Sequence, residues 1–172
     1  SRVTKKDEET GRLQGKVDTW RDVVNLNDDQ ITTQILEDHI DILVDLEGHT
    51  GNSKVELLAR KLAPLQITWL GYPSTTGLSQ IDYRITDEVA DPIGVADERH
   101  SEKLIRIKGG FLCYKPPETA PEINPAPHLK NGYVTFGSFN NSSKITDETI
   151  ITWANILESV PNSRLILKSV NF

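Results

Sequence analysis

The stretch Gly132–Leu157, GYVTFGSFNNSSKITDETIITWANIL, decides the fold class. Its apolar, β-branched and aromatic run Tyr133-Val134-Thr135-Phe136 reads as a buried strand. Gly137 and Ser138 break the run, and Phe139 to Lys144 form a polar loop. Thr146 then predicts a helix N-cap, with Asp147 and Glu148 placing negative charge in the first turn. Ile150, Ile151, Trp153, Ala154, Ile156 and Leu157 recur at helical spacing and give that helix its apolar face. Strand, small-residue turn and helix in that order predict an α/β fold. In such sheets ligands bind beyond the carboxyl ends of parallel strands, where helix N-termini present free N–H groups. Lys144 lies in this loop, where an ammonium suits a phosphate or diphosphate. On spacing alone a solvated surface lysine is the equal alternative.

Similar junctions lie upstream. Asp41-Ile42-Leu43-Val44-Asp45-Leu46 reads as a strand buried in a parallel sheet, mostly apolar and flanked by acids. It runs into Glu47-Gly48-His49-Thr50-Gly51, after which Ser53 with Glu56 predicts a capping box and a helix to about Leu62. The two glycines permit close backbone approach to a ligand. His49 can hydrogen-bond a substrate, shuttle a proton, or simply hold the turn. Leu65–Leu70 is the next strand, leading into Gly71-Tyr72-Pro73-Ser74-Thr75-Thr76-Gly77, a turn-rich segment with several hydroxyls. Three such loops at one sheet edge predict a cleft; three unrelated surface turns are the alternative.

Elsewhere the signals are simpler. Ser1–Gly15 is polar and mixed in charge and predicts a mobile end or loop, with Asp7 part of a solvated charge run. Trp20–Val24 forms a short apolar cluster. Asn27 with Gln30 predicts a capped helix to about Glu37, with Ile31, Ile35 and Leu36 facing inward. Ile81–Asp87, Leu104–Ile107 and Arg164–Lys168 read as further strands. Between Lys115 and Asn131, Pro116, Pro117, Pro121, Pro125 and Pro127 predict a semi-rigid connector and a domain boundary.

With 172 residues, 37% of them hydrophobic, the chain can bury a real core. A net charge of -6 leaves no basic footprint for nucleic acid. No apolar run reaches membrane-spanning length and no secretory signal opens the chain, so neither membrane nor export is expected. The lone Cys113 cannot form an internal disulfide, which makes a reducing setting the default and a small buried hydrophobe its expected role. His39, His100 and His128 lack partners at metal-ligand spacing, so no metal site is expected. The absence of Met, and a strand at Arg164–Lys168 with no room for a following helix, lead us to expect a piece of a longer protein.

Together these motifs resemble the protein O-GlcNAc transferase family, most closely its SPINDLY branch. The matching segments are IDILVDLEGHTGNSK, APLQITWLGYPSTTGL, IDYRITDEVADP, FLCYKP, GYVTFGSFNNSSKIT and WANILESVPNSRLILK, which cover nearly everything from Asp38 to Lys168. The resemblance implies a transferase of two Rossmann-like lobes (the GT-B type) that moves a sugar from UDP-GlcNAc or GDP-fucose to Ser or Thr hydroxyls of cytoplasmic or nuclear proteins. It further implies that residues 1–114 are the latter part of the first, acceptor-side lobe. Residues 115–131 are then a linker, and 132–172 begin the second, nucleotide-sugar lobe.

By the same resemblance, Lys144 falls on the catalytic lysine that contacts the donor's diphosphate, and Asn141 on a donor-proximal polar position. His49, Thr50, Leu70, Gly71 and Pro73 fall on acceptor-peptide contacts. Where this chain has His49, the animal enzymes have Tyr, which favours the SPINDLY branch. Asp7 aligns only loosely with an acid proposed to act in catalysis. Tetratricopeptide repeats are expected in the full-length chain, no cofactor is expected, and the 172-residue piece is expected to be inactive alone. A non-catalytic module that binds a nucleotide or a peptide is the rival reading.

Overall fold

A computed structural model describes residues 1–51 and 53–169. By its contacts the chain divides into two compact units, Ser1–Tyr114 and Lys115–Phe172. The first is built on four parallel strands in simple sequence order: β1 (Ile42–Asp45), β2 (Leu65–Trp69), β3 (Tyr83–Thr86) and β4 (Lys103–Arg106). Register places Val44 beside Ile67 and Ile67 beside Tyr83, so all four carboxyl ends lie along one edge.

Two α-helices precede the sheet. The second, α2 (Asp28–Glu37), starts where the capping box predicts: the Asn27 side chain accepts from Gln30 N–H, and Gln30 returns a bond to Asn27 N–H, each at 2.9 Å. Its buried stripe is Ile31 with half-buried Ile35; Leu36, expected inward, is 51% exposed because it sits a further 100° or so around the helix. Ile31, Leu57 and Leu62 pack with Val23, Leu26, Ile35 and Leu43, while Val55, Leu58 and Ile81 form an adjoining cluster that also contacts Leu43.

The amino-terminal segment departs from the expected mobile loop. It contains α1 (Glu8–Gln14), capped by Asp7, whose carboxylate accepts from Thr10 N–H (2.8 Å) and the Thr10 hydroxyl (2.7 Å). These bonds hold the Asp7 carboxyl below its ordinary range. Val23 N–H donates to Ser1 (2.8 Å), and Lys6 pairs with Asp22, tying the segment down. Asp7 is therefore a helix cap, a role that accounts for its position without catalysis.

The Ser53–Glu56 capping box does not form. Lys54 sits outside helical geometry, its ammonium paired with Asp28, and the turn that follows is a 3-10 helix, Val55–Arg60, ended by Lys61 in the left-handed region. β1 is also less covered than its composition predicts: Ile42 and Val44, on one face of this edge strand, are 53% and 42% exposed. Cys113 is exposed rather than buried, in a segment with exposed Leu112 and Tyr114 and no regular structure.

The second unit is a single βαβ motif: β5 (Thr135–Ser138), helix α4 (Asp147–Ser159) and β6 (Arg164–Leu167), with the strands parallel. The one-turn helix α3 (His128–Asn131) precedes it, closed by Gly132 in the left-handed region. Thr146 caps α4 through Thr149 N–H, as its position predicts. The run Tyr133–Phe136 is only half-covered, and the strand begins two residues later than expected. Two strands and one helix cannot enclose a core, and among the described residues of this unit none is fully buried.

Candidate functional site

At the carboxyl end of β1, the Asp45 carboxylate gathers the turn. It accepts from Glu47 N–H (3.1 Å), Gly48 N–H (2.9 Å) and the hydroxyl of Thr68 on neighbouring β2 (2.9 Å). The Thr50 hydroxyl donates to Glu47 C=O (2.9 Å), closing the loop on itself. His49 is carried at its tip. At the carboxyl end of β2, Gly71 N–H bonds back to Trp69 C=O (2.9 Å) across Leu70, whose φ is 72°. That is a γ-turn of the rare strained form, costing on the order of 1–3 kcal/mol, and it persists only where surroundings impose it.

The surroundings are the β1 loop itself. A Cβ at Gly71 would fall 1.9 Å from Leu46 C=O, and one at Gly48 would fall 2.3 Å from Tyr72 Cβ, so the two loops meet backbone to backbone. The His49 and Tyr72 rings pack edge to face with centroids 5.3 Å apart. His49 Nε2 lies 2.7 Å from Thr76 C=O. His49, Thr50, Leu70, Gly71 and exposed Pro73 are thus all borne by these two adjoining loops.

Buried charge holds the loop after β2 from beneath. Arg84, on β3 and 1% exposed, donates to Tyr72 C=O (2.8 Å) and Ser74 C=O (3.1 Å), with Asp91 3.5 Å from its Nε. Asp91 also accepts from the Thr86 hydroxyl and lies 3.7 Å from His100 Nε2. Glu102, just before β4, accepts from Thr76 N–H (2.8 Å), from the Thr76 hydroxyl, and from the Thr75 hydroxyl (2.7 Å). Burial pushes the Glu102 carboxyl up, but these donors outweigh it and hold the group below its ordinary value. Sequence reasoning passed over Arg84, Asp91 and Glu102. The one available signal was an arginine inside the strand-like run IDYRIT.

The third loop, FNNSSK, does not share that sheet edge: it follows β5, in the separate two-stranded sheet of the second unit. Asn141 caps a 3-10 turn, Ser142–Lys144, by accepting from Ser143 N–H (3.1 Å). Ser142 N–H meets the Ser169 hydroxyl, and Lys144 N–H meets Asn141 C=O. The turn's own amides are therefore engaged internally, and α4's first turn carries Asp147 and Glu148. Lys144 is exposed, and among the described residues its ammonium has no ion pair or hydrogen bond. The anion-binding capacity of this loop rests on that side chain more than on helix-end amides. No cluster of His, Cys, Asp or Glu among the described residues could hold a metal ion, and no described helix is long and apolar enough to cross a membrane.

Residues 11–115 match the model of glycosyl transferase family 41. The chain is 49% identical over 176 residues to the probable UDP-N-acetylglucosamine–peptide N-acetylglucosaminyltransferase SPINDLY of Solanum lycopersicum, and 47% identical to that of Arabidopsis thaliana. Each match covers all of this chain and 19% of the relative, so the chain spans about a fifth of their length. The Arabidopsis thaliana relative named SEC is 34% identical over 165 residues, covering 91% of this chain and 17% of its own. A solved structure of a Thermobaculum terrenum O-GlcNAc transferase mutant superposes with a TM-score of 0.87 at 39% identity, covering 97% of this chain and 31% of the other. The α/β architecture with parallel sheets is that of the corresponding part of this GT-B glycosyltransferase.

Proposed function

The chain belongs to glycosyl transferase family 41, and from that premise we propose that it forms part of a nucleotide-sugar-dependent protein O-glycosyltransferase. The sugar is N-acetylglucosamine or fucose, and the acceptors are Ser or Thr hydroxyls of cytoplasmic or nuclear proteins. In this reading the loops after β1 and β2 hold the acceptor peptide through His49, Thr50, Leu70, Gly71 and Pro73. Asn141 and Lys144 serve the donor.

During transfer the acceptor oxygen attacks the anomeric carbon while the sugar–phosphate bond breaks, and its electron pair goes to the departing nucleoside diphosphate. An ammonium beside that diphosphate gains most where the charge has developed, so it lowers the barrier rather than merely tightening binding. The observation that carries this role is the exposed ammonium of Lys144, without a partner among the described residues, in a turn whose own amides are already engaged. Lys144→Ala in the full-length enzyme is expected to lower turnover by about a hundred- to a thousand-fold while acceptor binding stays intact. Steady-state rates beside peptide-binding isotherms read both quantities. Unchanged turnover would remove the lysine from the mechanism, and absence of sugar transfer by the unmodified full-length protein would favour a non-catalytic module. Comparing UDP-GlcNAc with GDP-fucose on one acceptor peptide decides the sugar.

A further inference from the structure

Besides their backbone and ring contacts, the loops after β1 and β2 share one hydrogen bond to a carbonyl, and that carbonyl selects the tautomer of the histidine that reaches it. A carbonyl only accepts, so the His49 nitrogen 2.7 Å from Thr76 C=O carries the proton. A neutral imidazole has one N–H, which leaves Nδ1 with a free lone pair. Among the described residues nothing bonds to that nitrogen.

Thr76, which bears that carbonyl, is anchored by Glu102, which is 3% exposed. One of its oxygens takes both the N–H and the hydroxyl of Thr76, and the other takes the Thr75 hydroxyl at 2.7 Å. The edge-to-face contact with Tyr72, whose carbonyl is held by Arg84, opposes rotation of the imidazole. Mere loop closure would require none of this. A buried carboxylate takes both donors of the residue whose carbonyl meets an exposed imidazole, and a third from the residue before it.

We propose that Glu102 is a positioning residue which, acting through Thr76, keeps the His49 proton on Nε2 and presents Nδ1 to a hydrogen-bond donor of the acceptor peptide. The inference rests on the acceptor-side reading of these loops, but its first half is independent of activity. In the ¹⁵N-histidine-labelled chain, long-range ¹⁵N–¹H correlation of the ring nitrogens should show the neutral form of His49 protonated on Nε2 alone. Glu102→Gln cannot accept from all three donors and should give a mixture of tautomers. Thr76→Val should do the same, whereas Thr76→Ser, which keeps both donors, should retain the native form. A neutral form protonated on Nδ1 in the unmodified chain overturns the proposal. So does an unchanged His49 spectrum in a folded Glu102→Gln or Thr76→Val variant.

In the full-length enzyme, Glu102→Gln should raise the acceptor KM about five- to tenfold, the worth of roughly one hydrogen bond, with the sugar-nucleotide KM unchanged and Thr76→Ser near native. Parallel loss at both substrates would reduce Glu102 to a structural role and overturn the proposal. Failure of the full-length protein to glycosylate any peptide would sink the parent reading and the acceptor half of this one, while the spectra decide the tautomer separately.

Discussion

The loop after β2 is pinned by buried charge and the loop after β1 packs against it, whereas the loop after β5 is closed by a few backbone and hydroxyl bonds and leaves its ammonium exposed. The first arrangement spends a buried arginine and two buried carboxylates on the course of a few backbone atoms. Recognition of an extended peptide depends on directional hydrogen bonds and contact surfaces, which lose their value when displaced by an ångström. A lysine opposite a diphosphate acts as a compact charge on a flexible stem, so its loop tolerates freedom that the other loops cannot.

The comparison breaks most sharply at Arg84. Arg84→Met leaves Asp91 buried beside an apolar side chain and is expected to cost the first unit about 3–5 kcal/mol, read by urea unfolding. A loss under about 1 kcal/mol would mean that the Tyr72–Ser74 segment holds itself. Next comes the backbone contact between the loops. Gly71→Ala drives a methyl into Leu46 C=O, and since neither backbone can yield cheaply the expected cost is about 1–3 kcal/mol. Amide exchange should quicken in both loops at once; quickening in one alone would show that they are not coupled.

The second unit should respond more weakly. Thr146→Ala removes the cap of an exposed helix and should cost about 1 kcal/mol, seen as faster exchange in the first turn of α4. A larger loss would mean that this loop is more tightly determined than its contacts show.

The smallest effect is on acid stability. Hydrogen bonds lower the folded-state pKa of Glu102 below its unfolded value. Its contribution is therefore complete above the unfolded carboxylate range and is lost as pH falls through the folded value. Glu102→Gln should flatten the fall in stability below about pH 4 in an acid titration of the melting temperature. An identical acid slope would show that the carboxylate is not held in its charged form.

Local signals were legible at two caps whose partner lies within one helical turn. Asn27 with Gln30 delimits α2, and Thr146 marks the start of α4, because each cap is closed by a neighbour three residues on. Asp7 was misjudged for a related reason: its box is closed by Thr10 rather than by Glu or Gln, and the polar composition masked it. Ser53 failed in the opposite direction, since Lys54 is drawn toward Asp28, a residue distant in sequence. The run IDYRIT reads as a strand, but nothing local announces that its arginine is almost wholly buried and spans to Tyr72 and Ser74.

The order of the strands, the starts of α2 and α4, the positions of Gly48, His49, Gly71 and Lys144 in the loops that follow strands, and the likeness of the ordered motifs to a family were legible in the sequence. Periodicity, capping and motif order are properties of neighbouring residues in the chain. That His49 meets Thr76, that Gly71 presses on Leu46, and that Arg84 and Glu102 hold the loop after β2 between them emerged only with the tertiary structure. Those contacts join residues 25 to 27 or 10 to 12 positions apart across parallel strands. Their formation depends on sheet register and on burial strong enough to force polar groups to find one another.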